Sequence, residues 1–325
     1  MTPKGGTEIL RDSLFFRLDK KLLKGINIVP SVCHPNMLKA DHINIVWQHL
    51  SYDQPNVQYM QDRRFVDSVD HFVYISHWQF NRFRERFGIP EYKSTVIKNA
   101  IEPSKENVKF SRNHPTKIKL IYTSTPWRGL SVLVRAIEIL NQLRDDFECD
   151  IYSSTKIYGS SFEQTEGNKF DELFDKCKKT PNINYRGYAP NDKVRKALKD
   201  SHILAYPSIF EETSCLSAIE ALYAGLKVVT TNYGALPETC GDFADYVDFE
   251  PHHEELSKKF AVSLNSAIDT MLFDEHDYQT QHKHYEKYWT WDSRIEEWVD
   301  FLTNIKEKYN GKEKNKTKRY TIKTH

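Results

Sequence analysis

Short apolar runs alternate along the chain with longer segments in which apolar residues recur at every third or fourth position. Runs such as Ile43–Trp47 and Ile203–Tyr206 predict buried β-strands, whereas the longer segments predict amphipathic helices. A regular alternation of the two is typical of βαβ units, in which helices cover a parallel sheet. The pattern therefore predicts an α/β fold.

The alternation forms two series, which a polar stretch at 104–116 separates. The first series predicts strands at 26–29, 43–47, 72–75 and 95–97, with helices at about 7–23, 58–67 and 77–87. The second predicts strands at 118–122, 150–153, 183–185, 203–206 and 228–230, with helices at about 129–143, 168–177, 191–199, 215–224 and 254–272. Because 325 residues suit two domains, we place one domain at 1–112 and a second at 113–280.

The C-terminal segment 281–308 ends in a predicted helix at about 291–308. Its apolar residues follow spacings of four, three, four and three, which places them on one helical face: Trp291, Ile295, Trp298, Leu302 and Ile305. The last residues, 309–325, are basic and poor in apolar groups, which predicts a disordered, solvated tail. A weak contact of this tail with anionic lipid or a polyanion is the alternative.

Composition narrows the classes of function. The net charge of the whole chain is +1, whereas residues 306–325 carry eight Lys or Arg against two Glu, so the body is slightly acidic and no specific nucleic-acid binding is expected. Five scattered cysteines without a Cys-x-x-Cys pair predict free thiols in a reducing compartment. No metal-ligand spacing of histidines, no long apolar run and no signal peptide are visible. We expect a cytoplasmic protein, with peripheral membrane attachment left open.

Two glutamates, Glu212 and Glu220, stand eight residues apart between the predicted strand at 203–206 and the next strand. Glu212 falls in a loop and Glu220 two turns into a helix whose first-turn amides lie near Ser214, Cys215 and Leu216. Helix N-termini attract phosphate because their N–H groups lack intrahelical partners. One carboxylate can bind a sugar and the other a ribose, with a diphosphate between them.

This stretch resembles the Glu-x7-Glu motif of retaining glycosyltransferases of the GT-B fold, most closely glycosyltransferase family 4. The resemblance extends to Tyr206-Pro207-Ser208 before the pair, Glu220-Ala221-Leu222-Tyr223-Ala224-Gly225 in the helix and Asn232-Tyr233-Gly234-Ala235-Leu236-Pro237-Glu238 after it. It implies two Rossmann-like domains facing a cleft, with an acceptor-side N-terminal domain and a donor-binding C-terminal domain. The C-terminal helix is expected to pack back on the N-terminal domain.

The resemblance also assigns residues outside the glutamate pair. Gly5 and Gly6 match a loop that faces the donor diphosphate, and His49 matches the histidine that approaches the donor sugar. Arg128 matches a loop that supplies cations to the diphosphate, although the lysine usually paired with this arginine is missing here. Gly187 and Tyr188 match the loop that meets the nucleotide base, and Thr213 completes the donor-binding loop.

The implied activity is transfer of a sugar from a UDP- or GDP-sugar to a glycan, lipid or protein acceptor, with retention of configuration. Glu212, Arg128 and His49 are the expected catalytic residues. No cofactor and no metal are expected, because Arg128 and the helix N-terminus would replace Mg²⁺.

Two other functions stay open. One is a sugar-nucleotide epimerase on the same fold, and the other is a non-catalytic subunit that binds a sugar nucleotide or glycan. The N-terminal domain departs from the usual pattern, because only four residues precede Gly5 where a first strand is normal. We expect a reduced N-terminal sheet.

Overall fold

The computed structural model describes residues 5–103, 116–156, 167–272 and 277–321, and the side chains at 167–168 and 310–321 lie outside that description. By their internal contacts these residues form two units. The first contains Ile101–Thr290 together with Gly5 and Gly6, and the second contains Thr7–Ala100 and the helix that begins at Trp291. The boundary predicted near residue 112 lies outside the described residues.

The second unit is built on a parallel sheet of β1 (Ile26–Pro30), β2 (Ile43–Trp47), β3 (His71–Tyr74) and β4 (Ser94–Val96). The order of the strands in the sheet follows their order in the chain. Its α-helices are α1 (Gly6–Arg17), α2 (Lys20–Leu23), α3 (Arg63–Ser68) and α4 (His77–Phe87). A single helix was expected at 7–23, but the Asp19 side chain accepts a hydrogen bond from the Lys21 amide at 2.8 Å and starts a new helix there.

The last helix, α12 (Trp291–Thr321), belongs to the same unit. The Trp298 ring lies 5.0 Å from the Trp47 ring, and the Phe301 ring lies 5.1 Å from His71, so the helix packs on β2 and β3. Its predicted apolar stripe is therefore a packing surface. The backbone of this helix continues past the expected boundary at 308, beyond the end of the apolar stripe, to Thr321.

The first unit contains a six-stranded parallel sheet in the order β10-β9-β8-β5-β6-β7. The strands are β5 (Ile118–Tyr122), β6 (Phe147–Ile151), β7 (Ile183–Tyr185), β8 (Ile203–Tyr206), β9 (Lys227–Thr231) and β10 (Ala244–Val247). From β5 the chain moves first to one side of the sheet and later, at β8, to the other. Such a reversal leaves a crevice at the carboxyl ends of the two strands.

Helices cover both faces of this sheet: α5 (Leu130–Leu140), α6 (Asp171–Lys179), α7 (Asn191–Lys199), α8 (Leu216–Tyr223), α9 (Leu236–Cys240), α10 (His253–Leu272) and α11 (Tyr278–Trp289). Strand β6 begins earlier than the predicted 150–153, because Phe147, Cys149 and Ile151 alternate into the core. Strand β10 and helix α9 were not predicted. The predicted segment 281–308 is split, since α11 belongs to this unit and α12 to the other.

All five cysteines are buried free thiols, as the sequence predicted. In the ranges that the structure describes, no helix is long and apolar enough to cross a membrane.

We expect Trp298→Ala to lower the free energy of unfolding by about 3–5 kcal/mol, because it leaves a large cavity beside Trp47. The neighbouring Val299 is 39% exposed, so Val299→Ala should change the free energy of unfolding by less than about 0.5 kcal/mol. Urea denaturation followed by circular dichroism checks both values. Equal stability of the two variants would show that α12 does not hold the second unit together.

Candidate active site

Glu212 is the buried charge at the centre of the candidate site. It lies in the loop between β8 and α8, and only 3% of its surface is exposed. The Tyr206 hydroxyl donates to Glu212 Oε1 at 2.5 Å, and the Arg128 guanidinium donates to the same oxygen. A carboxylate at this depth is tolerated because it is paired and hydrogen-bonded.

Arg128 comes from the loop after β5, on the neighbouring strand of the sheet. Its guanidinium lies 4.4 Å from the centre of the Phe210 ring, a cation–π contact that fixes the plane of the group. Its side chain is 24% exposed, so one part of it still reaches solvent. The structure therefore brings together two residues that the sequence assigned separately, Arg128 to a diphosphate and Glu212 to a sugar.

Tyr206 is a member of this cluster that sequence reasoning quoted only as part of a motif. Burial and the nearby Glu212 carboxylate raise the pKa of Tyr206 well above its usual value, so the hydroxyl keeps its proton and donates a hydrogen bond to Glu212. The sequence contained a signal for this hydrogen bond, because Tyr206 ends a buried strand and a buried tyrosine hydroxyl needs a partner.

Two glycines allow the loops around Glu212 to approach each other. Gly129 has a φ of 102°, and a Cβ there would stand 1.9 Å from the Pro207 carbonyl oxygen. Gly234 has a φ of 63°, and a Cβ there would stand 2.5 Å from the Glu212 amide nitrogen. The Ala235 amide also donates to the Glu212 carbonyl at 2.7 Å. Any larger residue at these positions would displace the Arg128 or Glu212 backbone.

Thr213, Ser214 and Cys215 lead into α8, which begins at Leu216. The Ser217 hydroxyl donates to the Thr123 carbonyl at 2.8 Å and so fixes the start of α8 beside the end of β5. Burial, with the Glu212 charge nearby, raises the pKa of the Cys215 thiol to about 12. Cys215 is therefore a protonated thiol at neutral pH and not a thiolate nucleophile.

Four buried side-chain hydroxyls in the described part of this unit have no hydrogen-bond partner. They belong to Thr123 and Thr125 after β5, Ser153 after β6 and Ser214 before α8. Thr123, Thr125 and Ser214 lie on the loops that flank the crevice between β5 and β8, and Ser153 follows β6, the strand on the other side of β5. A buried hydroxyl without a partner costs about 1–3 kcal/mol, so their common position indicates a ligand site rich in hydrogen-bonding groups.

Glu220 lies on α8 and is paired in a way that the sequence did not predict. Its Oε1 accepts a hydrogen bond from Arg195 Nε at 2.9 Å, and its side chain is 23% exposed. The expected contact with a ribose stays a prediction. Arg195, on α7, was missed because the two helices meet only in the folded structure.

Gly187 and Tyr188 follow β7, the edge strand, and Tyr188 is 39% exposed. They therefore lie at the carboxyl edge of the same sheet as Glu212, on the side of β6. At Gly6, which belongs to this unit together with Gly5, an added Cβ would stand 3.1 Å from Leu216 Cδ1, at the start of α8.

His49 belongs to the other unit and follows β2. Burial lowers its pKa to about 3, so the imidazole is neutral near pH 7, and its ring lies 4.4 Å from the Trp47 ring. The Gln48 side-chain oxygen accepts from the amides of His49 and Leu50 at 3.0 and 2.8 Å, which fixes this loop.

Uncharged polar groups also line the carboxyl ends of the strands in this second unit. Buried atoms without a hydrogen-bond partner there include Ser31 Oγ after β1, Gln48 Nε2 and Ser51 Oγ after β2, and Asn99 Oδ1 after β4. Amides and hydroxyls of this kind match the hydroxyls of a carbohydrate.

Residues 104–278 match the family model described as glycosyl transferases group 1, and the match covers more than half of the 325 residues. The chain belongs to the glycosyl transferases group 1 family. The matched region contains Arg128, Gly187, Glu212 and Glu220, whereas Gly5, Gly6 and His49 lie outside it. No curated protein matches the sequence significantly.

Solved structures confirm the predicted GT-B class. A glycosyltransferase from Rickettsia africae is 17% identical, with a TM-score of 0.65 over 93% of this chain and 82% of that one. The pneumococcal O-GlcNAc transferase GtfA, solved with UDP and GlcNAc, is 14% identical, with a TM-score of 0.64 over 93% of this chain and 60% of that one. Anabaena HepE, solved with UDP-glucose, is 14% identical, with a TM-score of 0.60 over 81% and 72%. This group 1 glycosyltransferase therefore has the α/β GT-B fold.

We expect Gly234→Ala to destabilise the glycosyltransferase by about 2 kcal/mol or more and to weaken donor binding, because its Cβ would collide with the Glu212 backbone. Gly88 is a matched control, since its φ is 62° and an added Cβ would meet nothing within 4 Å. Gly88→Ala should cost only about 1 kcal/mol. Urea denaturation and the thermal shift produced by UDP measure the two effects. Equal losses in both variants would contradict the role of Gly234.

Proposed function

We propose that this glycosyltransferase moves a hexosyl group from a nucleoside diphosphate sugar, UDP- or GDP-linked, to a glycan, lipid or protein acceptor. The observation that carries the proposal is the buried Glu212, held by Tyr206 and Arg128, beside four buried hydroxyls that lack partners. A polyhydroxylated, anionic ligand supplies partners of both kinds. The complexes of the pneumococcal and Anabaena enzymes with UDP and UDP-glucose favour a uridine donor.

In the proposed mechanism the bond between the anomeric carbon and the diphosphate oxygen breaks, and its electron pair leaves with the diphosphate. Arg128 and the free amides at the start of α8, near Ser214, Cys215 and Leu216, stabilise the negative charge that develops there. Glu212 accepts hydrogen bonds from the sugar hydroxyls and fixes the sugar. Glu220 binds the ribose, and Gly5 and Gly6 approach the diphosphate.

We propose retention of configuration, as the resemblance to glycosyltransferase family 4 implies. The Glu212 carboxylate is held by Tyr206 and Arg128, and protonated Tyr206, protonated Cys215 and neutral His49 supply no anionic nucleophile. This favours attack by the acceptor on the face from which the leaving group departs. The acceptor oxygen bonds to the anomeric carbon, and its proton passes to a diphosphate oxygen. His49 contributes as a neutral imidazole that hydrogen-bonds to the sugar.

For the acceptor side, we propose the carboxyl edge of the second unit, where Ser31, Gln48, Ser51 and Asn99 present uncharged polar groups. These groups favour a glycan or the sugar head of a lipid. We also propose a cytoplasmic enzyme whose basic C-terminal end contacts a membrane or polyanion.

Glu212→Gln should lower the transfer rate about 100-fold or more, because it removes the charge that Arg128 and the sugar share. Glu211, the half-buried neighbour, is the matched control, and Glu211→Gln should retain activity within about twofold. Product formation from UDP- and GDP-sugars, measured by mass spectrometry, checks the rates, and NMR of the product gives its anomeric configuration.

Four results would contradict this proposal. Full activity of Glu212→Gln removes Glu212 from the mechanism, and an inverted product removes retention. Interconversion of sugar nucleotides without acceptor, or donor binding without transfer or hydrolysis, would instead identify an epimerase or a binding subunit.

Activity should persist in EDTA, because Arg128 and the amides at the start of α8 provide the positive charge that a metal would otherwise supply. The measurement is the transfer rate before and after EDTA treatment, with Mg²⁺ or Mn²⁺ then added back. Loss of activity that either ion restores would show that the reaction needs a metal.

A further inference from the structure

Two adjacent phenylalanines near the end of α1 point into solvent. Phe16 is 87% exposed and Phe15 is 38% exposed, whereas Leu10 and Leu14 of the same helix are buried in the second unit. The helix therefore packs on the unit without Phe16, and Phe15 keeps more than a third of its surface in water. Adjacent large apolar side chains that are exposed to water mark an interaction site when the residues around them carry charge of one sign.

The surroundings of this pair are cationic. Asp19 caps α2, and the residues that follow expose Lys20, Lys21 and Lys24 to solvent. Lys20 is four residues from Phe16, so their Cα atoms lie within about 15 Å of each other. Arg17 ends α1. The nearby acidic residues are Asp19, which caps α2, and Asp12, whose charge is paired with Arg11 at 2.8 Å.

Helix α12 adds further positive charge at the same place. Lys306 Nζ donates to the Lys21 carbonyl at 3.2 Å, which joins α12 to α2. Tyr309 fixes the next turn, since its hydroxyl donates to Asp70 Oδ1 at 2.8 Å. Lys308, two residues further along α12, is also exposed.

We propose that Phe15, Phe16, the exposed Lys20, Lys21 and Lys24 and the neighbouring Lys306 of α12 form a docking surface for an anionic lipid bilayer. Phenylalanine rings insert at the boundary between headgroups and acyl chains, and lysines beside them remain at the level of the lipid phosphates. A soluble polyanion would match the lysines but would leave both phenyl rings in water. The cations around α2 are mainly lysines, which suit diffuse attraction to a surface more than bidentate recognition of a single phosphate.

The surface built by α1, α2 and α12 extends the proposed membrane contact of the C-terminal end. It does not depend on sugar transfer, because none of these residues belongs to the candidate active site. Donor binding and lipid binding can therefore fail separately.

Sedimentation with vesicles tests the surface in the full-length chain. Binding to phosphatidylcholine vesicles that contain phosphatidylglycerol should exceed binding to pure phosphatidylcholine, and high salt should weaken it. Phe16→Ser should reduce binding about tenfold. Lys20→Glu with Lys24→Glu should reduce it about 30-fold or more. All variants should keep the wild-type thermal shift with UDP.

Matched controls come from the same unit. Tyr92 is 68% exposed, so Tyr92→Ser removes a comparable exposed ring, and Arg84→Glu with Arg86→Glu reverses two exposed charges on α4. Both controls should bind anionic vesicles as the wild type does. If they lose as much binding as the proposed variants, the attraction comes from the overall charge of the unit and the proposal is wrong.

Insertion of the ring is tested with Phe16→Cys labelled by an environment-sensitive dye, which the five buried native cysteines allow. The dye should shift to the blue on anionic vesicles and stay unchanged with heparin. An unchanged spectrum on vesicles, or heparin binding that Phe16→Ser does not weaken, would identify a polyanion surface. Self-association without lipid that Phe16→Ser abolishes would assign the surface to a second copy of the chain.

Discussion

The candidate site depends on one buried carboxylate. Glu212 is removed from water almost completely. The free-energy cost of burying its charge is offset by the Tyr206 hydroxyl and the Arg128 guanidinium, which both donate to the same carboxylate oxygen. These partners come from the ends of β8 and β5, the two strands between which the order of the sheet reverses. The reversal therefore both creates the crevice and brings the charges together.

The paired state also suggests how a donor enters. Arg128 is partly exposed and Glu212 is not, so in the proposed mechanism an anionic diphosphate would meet the guanidinium before the sugar reached the carboxylate. Neighbouring hydroxyls of Thr123, Thr125, Ser153 and Ser214 remain without partners in the fold itself. The protein thus holds polar groups in place before the ligand binds, which is the arrangement that electrostatic stabilisation of a leaving group requires.

The second unit is organised around aromatic packing. Trp47 ends β2, contacts Trp298 of α12 and lies against His49, so the C-terminal helix and the loop after β2 are fixed by the same side chain. Burial there keeps His49 neutral. The middle of α12 contacts α2 through Lys306, and the same helix therefore links the core of the unit to the lysines of α2.

The sequence by itself determined the α/β class, nearly all of the strands and the stretch around Glu212 and Glu220, because apolar periodicity and motif spacing are local properties. It failed at β10 and α9, short elements with weak periodicity, and at the division between α11 and α12. Only the tertiary structure decided the partners of the charges. Tyr206 and Arg128 meet Glu212, and Arg195 meets Glu220, because β5, β8, α7 and α8 come together in the fold, and spacing along a chain carries no record of such contacts.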